Sequence, residues 1–186
     1  MEKTEVPSQR AYRLIYPRLV VLVSCIDPAT KKPSIMTIAW STPLSANPPL
    51  VGILVAPRRY SHELISSARE FVINVPTVEI LEKAIKCGRV SGRTHDKFSE
   101  FGLTAKPAKI VKAPIVEECV AHLECKLVDQ LTTGDHTLFI GEVAAAYANE
   151  GTFDGQYMNI ERVRNFYQAS GDSYASLSKK LLKPGL

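Results

Sequence analysis

The chain has 186 residues, 45% of them hydrophobic and 23% charged, values that fit one globular domain and exclude an intrinsically disordered chain. Lysine and arginine outnumber the acids by 23 to 19, a net charge of +4. No basic block of the kind that tracks a nucleic-acid backbone concentrates that excess. The longest apolar stretches, Leu19–Ile26 and Leu50–Pro57, fall far short of the ~20 residues that a bilayer crossing needs. The opening MEKTEVPSQR mixes charges and lacks an apolar core, so a cytoplasmic address is expected. A chain this long buries roughly 70% of its extended surface and needs neither disulfides nor a structural metal to fold.

In chain order, Leu19–Ile26 is a valine-rich strand that stops at Asp27–Pro28, and Ser34–Trp40 runs back beside it as a hairpin. Ser41–Thr42–Pro43 and Pro48–Pro49 punctuate the chain as loop before Leu50–Ala56, an apolar strand ended by Pro57. Ser61–Ala68 has helical spacing with Ser61 as the expected cap. Phe71–Val75 is a strand; Thr77 then stands as the cap of a helix over Val78–Gly88. Cys119–Leu131 and Thr137–Ala148 alternate as two long strands around a turn at Thr132–His136. Strands outnumber helices, and continuous apolar strands point to cover on both faces. The expectation is a mainly β fold with short helices, an antiparallel barrel in a single domain over 1–186. The barrel would run from about 12 to 168, with the 169–186 tail frayed or docked as a short helix through Tyr174, Leu177, Leu181 and Leu182.

No GxGxxG, P-loop, HExxH or GxSxG occurs. The four cysteines, Cys25, Cys87, Cys119 and Cys125, form no CxxC pair and are read as buried thiols. On a strand His122 points away from Cys119 and Cys125, which argues against a metal site. Four polar clusters remain. Met36–Thr42 carries three hydroxyls and Trp40, and reads either as a core tryptophan with a Thr/Ser turn or as the wall of a flat heteroaromatic ligand. Pro57–His62 holds Arg58 and Arg59 at a helix start, either a solvated cap or an anion site. Cys87–Phe98 places Gly88, Ser91, Gly92 and Lys97 among further cations, either a charged surface loop or a phosphate cradle. His136 sits at a hairpin tip, either solvated or touching a ligand.

The order of these clusters resembles the flavin reductase-like family of FMN-binding split-barrel proteins, flavoredoxins included. The matching stretches are PRLVVLVSCID, IMTIAWSTPLSANPPLVGILVAPRRYSH, FVINVP, CGRVSGRTHDKF, APIVEECVAHLEC and GDHTLFIGEV, spanning about Tyr16–Val143. The resemblance implies a six-stranded antiparallel Greek-key split barrel, a homodimer and a non-covalent FMN near the subunit boundary. It implies that Thr37, Ala39, Trp40, Ser41 and Thr42 border the flavin ring, and that Arg58, Ser61, Ser91 and Gly92 hold the phosphate. Lys97, His136 and Phe166 would complete the site. Ser34 departs from the pattern, since several relatives carry asparagine there.

The chemistry fits those roles independently. Reduced FMN gains negative charge on its pyrimidine ring; a unit charge pair at 4 Å is worth on the order of 4 kcal/mol before desolvation at an effective dielectric of about 20. Lys97 is the candidate for that charge. A phosphate needs several donors, and arginine offers bidentate ones. Two functions follow: an oxidoreductase moving hydride from NAD(P)H to flavin and electrons onward to free flavin or a redox partner protein, or an FMN-holding electron carrier without an efficient nicotinamide reaction. Aromatics and cations do not interleave on any strand, which disfavours nucleic acid.

Overall fold

The computed structural model describes residues 1–182 and 184. A 3-10 helix, Ser8–Ile15, leads to β1 (Arg18–Leu19), β2 (Val21–Ile26), β3 (Pro33–Ile38), β4 (Ser41–Ala46) and β5 (Pro49–Val55). Then come α1 (Tyr60–Ala68), β6 (Glu70–Val75), a 3-10 turn at Val78–Ile80, α2 (Leu81–Arg89) and the one-turn α3 (Lys97–Glu100). β7 (Ala105–Lys106) and β8 (Ile115–Val116) precede the long β9 (Ala121–Thr133) and β10 (His136–Ala148), and β11 (Phe166–Ser170) with β12 (Ser173–Ser176) follow. Among the described residues no helix is long and apolar enough to cross a membrane.

The main sheet is antiparallel with strand order β3-β2-β6-β9-β10-β5-β4, a Greek-key arrangement of β5, β6, β9 and β10. Laid flat, seven strands would put β3 and β4 roughly 29 Å apart. Yet only Ala39 and Trp40 join them, a link of roughly 10 Å at full stretch. The sheet must therefore curl until its edges meet, and no ladder closes the seam. Bulges in the β9–β10 pairing at Ile140/Gly141 and Val143/Ala145 supply curvature. The expected six strands become seven because the run from Pro33 to Ala46 is one bent segment that pairs at both edges. β4 was expected as loop; Pro43 is tolerated there because β4 is an edge strand.

β2 explains its own lack of alternation. Val21, Val23 and Cys25 face the barrel interior with Ile53, Phe71 and Phe139. Val20 and Leu22 face an outer layer formed by Ala84, Phe98, Val116 and Phe166. Both faces are covered, so both are apolar. Three local expectations are corrected. Arg59, in extended backbone, is the N-cap of α1, and Ser61 is buried inside the first turn. The Thr77 side chain makes no cap bond, and α2 continues past Gly88 to Arg89. The tail forms β12 rather than a helix: β12 pairs with β11, and Tyr174 packs edge-on against Phe166 at 6.0 Å. Leu177, Leu181 and Leu182 are exposed; the lysine at 183 lies outside the described residues.

All four cysteines are free and buried. Two carboxylates, one buried and one half-buried, organise the connection between α3 and β9. Glu124, fully buried, accepts from the backbone N–H groups of Lys109 (2.7 Å), Ile110 (2.6 Å) and Val111 (3.1 Å) and from the Tyr147 hydroxyl (3.0 Å). Glu70 accepts from Lys112 (2.6 Å) and Ala113 (2.9 Å). Beside them Asn74 Oδ1 accepts from Val116 N and from His122 Nδ1, each at 2.9 Å. An amide oxygen only accepts, so neutral His122 carries its proton on Nδ1.

Burial pushes the His122 imidazolium pKa down to about 4, against a smaller upward pull from Glu124. The unfolded chain then binds one more proton than the folded one between pH 6.5 and about 4, and stability falls as pH drops through that window, by on the order of 3 kcal/mol for this residue. Urea unfolding across that range should show this slope in the wild type and a shallower one, by about one proton, in His122→Gln. Equal slopes would mean that His122 protonates as freely when folded.

Candidate functional site

The open seam between β3 and β4 is where the chain builds a cleft of about 400 Å³. Met36, Thr37 and Ile38 of β3 and the link Ala39–Trp40 form one wall, and Leu54–Ala56 at the end of β5 another. Arg58–Ser61 enter at the start of α1, Cys87 and Gly88 at the end of α2, and Val90–Gly92 from the following loop. Lys97, His136 and Gln168 close it. Of the residues expected at a site, Thr37, Ala39, Trp40, Arg58, Ser61, Ser91, Gly92, Lys97 and His136 meet here, although they come from five separate stretches of chain.

No aspartate or glutamate lines the cleft, whereas Arg58, Arg59 and Lys97 do. Among the described residues neither Arg58 nor Arg59 has a carboxylate partner. The start of α1 has no side-chain cap; the His62 N–H bonds the Arg59 carbonyl, which leaves the Tyr60 and Ser61 N–H groups beside two guanidinium groups. Lys97 is 6% exposed and donates to the carbonyl oxygens of Ile35 (2.9 Å) and Cys87 (2.7 Å). It has three N–H donors, so one is left for the cleft. Burial lowers the Lys97 pKa, and Arg59 lowers it further; the site is short of negative charge. Burial also pushes the Cys87 thiol up to about 11 despite Lys97, so Cys87 stays protonated.

The remaining walls are held by contacts at their backs. The Thr37 hydroxyl donates to the Ala84 carbonyl and ties α2 to β3, so it is the backbone of Thr37 that stays free. The loop after α2 is pinned by Arg93, whose guanidinium pairs with Glu63 at 2.7 Å and lies 4.8 Å from the Tyr60 ring centroid. A Cβ at Gly92 would run into Ser34 Oγ and stand 3.2 Å from Tyr60 Cδ1, so only glycine fits this approach. That Ser34 oxygen is buried without a hydrogen-bond partner. At the mouth, Trp40 lies 4.8 Å from the His136 ring and 5.5 Å from Tyr12, and its Nε1 donates to the Tyr16 hydroxyl at 3.0 Å. His136 Nδ1 donates to Asp135 at 2.6 Å from the two-residue turn, where Gly134 has φ +67°.

Three expected residues lie elsewhere. Ser41 and Thr42 belong to β4, paired with Ile53 and Gly52 and outside the cleft lining; the Thr42 hydroxyl bonds the Pro43 carbonyl. Phe166 is 1% exposed in the outer core layer. Gln168, on the same face of β11 two residues on, reaches the cleft in its place. Sequence reading also passed over Tyr60 as a lining residue, although the pair of arginines before it marked the place.

The sequence profile of the flavin reductase like domain matches residues 12–166. An uncharacterized protein of Archaeoglobus fulgidus is 39% identical over 155 residues, which cover 83% of this chain and 84% of its own. The structure of flavoredoxin from Desulfovibrio vulgaris (Miyazaki F) superimposes with a TM-score of 0.86 at 29% identity, covering 100% of this chain and 98% of its own. That of the FMN-binding protein from Thermus thermophilus with bound 1-cyclohex-2-enone does so at 0.84 and 25% identity, covering 99% of each. Profile, relative and split-barrel architecture agree: the chain belongs to the flavin reductase like family.

Proposed function

We propose that the cleft holds FMN without a covalent bond and that the protein is an oxidoreductase, taking hydride from NAD(P)H and passing electrons to free flavin or a partner protein. One observation carries this reading: a cleft of about 400 Å³ lined by three cations and no carboxylate. The residues fit such a guest on the structure's own terms. A phosphate is matched by Arg58 at a helix start without a side-chain cap. The glycine approach at Gly92 and the unpartnered Ser34 oxygen behind it suit a ligand that needs close backbone contact. The similarity to a flavoredoxin and to an FMN-binding protein points the same way.

When bound, the flavin supplies two-electron hydride chemistry. The chain's residues bind and orient it. Arg58, Ser61, Ser91 and Gly92 would hold the phosphate, the Thr37–Trp40 wall and His136 would flank the ring, and the free donor of Lys97 would favour negative charge on the reduced ring. We propose further that two copies associate and that the protein works in the reducing cytoplasm. The 3-10 helix at Ser8–Ile15 supports the first: it packs on Trp40 yet leaves Leu14 and Ile15 at 69% and 65% exposure. Four free, buried thiols support the second.

Lys97→Met should lower the flavin midpoint potential by at least ~30 mV, equivalent to about 1.4 kcal/mol for a two-electron couple; spectroelectrochemistry with an unchanged midpoint would remove Lys97 from the ring's surroundings. Rapid mixing distinguishes enzyme from carrier. The FMN-loaded protein should lose its visible flavin absorbance on mixing with NADH or NADPH within the turnover time of ordinary enzymes, on the order of a second or less. Bleaching by dithionite alone would favour the electron-carrier reading.

A further inference from the structure

A second cavity of about 320 Å³ opens off the first. The two share Thr37, Ile38, Ala39, Arg59, Gly88 and Gln168 as a common wall. The outer rim of the second lies between the last turn of α2 and the β11–β12 hairpin, where Arg89, Asp172 and Tyr174 line it. Asp172 is the one carboxylate in the lining of the two cavities. Its Oδ1 stands 3.1 Å from Arg89 Nη2, with the two side chains 82% and 59% exposed. Such exposed pairs are weakly held. Tyr174 is fixed edge-on against Phe166 and gives the cavity a rigid aromatic side. Gln168, on the shared wall, donates to the Gly171 carbonyl at 2.8 Å and so holds the turn that presents Asp172.

We infer that Asp172 is a stand-in anion, holding Arg89 until a phosphate of the co-substrate replaces it, and that the second cavity is where the diphosphate of a dinucleotide reductant binds between Arg59 and Arg89. The inference rests on the flavin reading of the first cleft, which puts the reacting ring on the far side of the shared wall. Arg59 stands on that wall and Arg89 at the rim, so the two guanidinium groups mark a path from ring to solvent. A diphosphate offers both of them more charge and bidentate geometry than one carboxylate offers Arg89 alone. A cavity of this size takes the diphosphate and one ring and leaves the rest of the dinucleotide over the surface. The hairpin that carries Gln168, Asp172 and Tyr174 lies beyond residue 166, the last position of the family match.

The test is titration calorimetry of FMN-loaded protein with inorganic pyrophosphate, together with the KM for NADH and for NADPH. Asp172→Asn should bind pyrophosphate at least threefold more tightly and lower KM. Arg89→Gln should bind it at least tenfold more weakly and raise KM, while FMN affinity stays within twofold of wild type in both. An equal change for NADH and NADPH is expected, because both carry the diphosphate; a change confined to NADPH would place its 2′-phosphate on Arg89 instead and overturn the diphosphate assignment. Pyrophosphate affinity and KM unchanged in both variants, with FMN still bound, would overturn this inference alone. A wild-type protein that takes up no FMN would remove the flavin reading and this inference with it.

Discussion

Two residues, Ala39 and Trp40, join strands that stand at opposite edges of a seven-stranded sheet, and this short tether decides the rest of the molecule. The sheet must wrap to bring its edges together, and β3 and β4 do not pair where they meet, so the barrel keeps an unladdered seam. A seam of this kind leaves backbone and side chains without sheet partners on one side. The protein does not fill it with core side chains. Instead α1, α2, α3 and the β9–β10 turn converge on it, and the cleft forms where the barrel stays open.

The distribution of charge follows from the same arrangement. The acids near the site are engaged in structural contacts: Glu63 holds Arg93, Asp135 holds His136, and Glu100 accepts from the Asp96 N–H and pairs with His95. Farther away, Glu70 and Glu124 satisfy backbone N–H groups of the segment before β8. The Glu124 carboxyl, raised by burial, is brought below its ordinary range by those three backbone donors and by Tyr147. The cleft is left with cations that have carbonyl partners or none. A buried ammonium such as Lys97 bears a desolvation cost that two carbonyl oxygens only partly offset. An anionic guest is the natural complement.

Much of this was legible in the sequence. The hairpins, the mainly β class and the clusters at Arg58, Gly92, Lys97 and His136 follow from periodicity, turn residues and the gathering of cations with glycines. Other features were hidden for physical reasons. β4 is punctuated by proline, which edge strands tolerate and sequence patterns read as loop. The burial of Lys97 was hidden, because nothing local shows that Phe98 enters the outer core layer and carries its neighbour inward. Phe166 was expected at the site through the family resemblance alone, but the outer core layer claims its ring, and Gln168 two positions on reaches the cleft. The buried His122 and Glu124 lie on the face of β9 opposite Cys125, which alternation alone assigns to solvent; the cover is the connection just before β9, whose residues Lys109–Val111 have no regular structure.

The central claim is that the seam cleft recognises a guest by its phosphate as much as by its ring. Titration calorimetry of the wild-type protein with FMN and with riboflavin, which share the ring and differ by the phosphate, measures that contribution directly. The account predicts FMN binding at least tenfold tighter, about 1.4 kcal/mol or more, with the advantage shrinking as salt is added. Equal affinity for the two, or no binding of either, would contradict it.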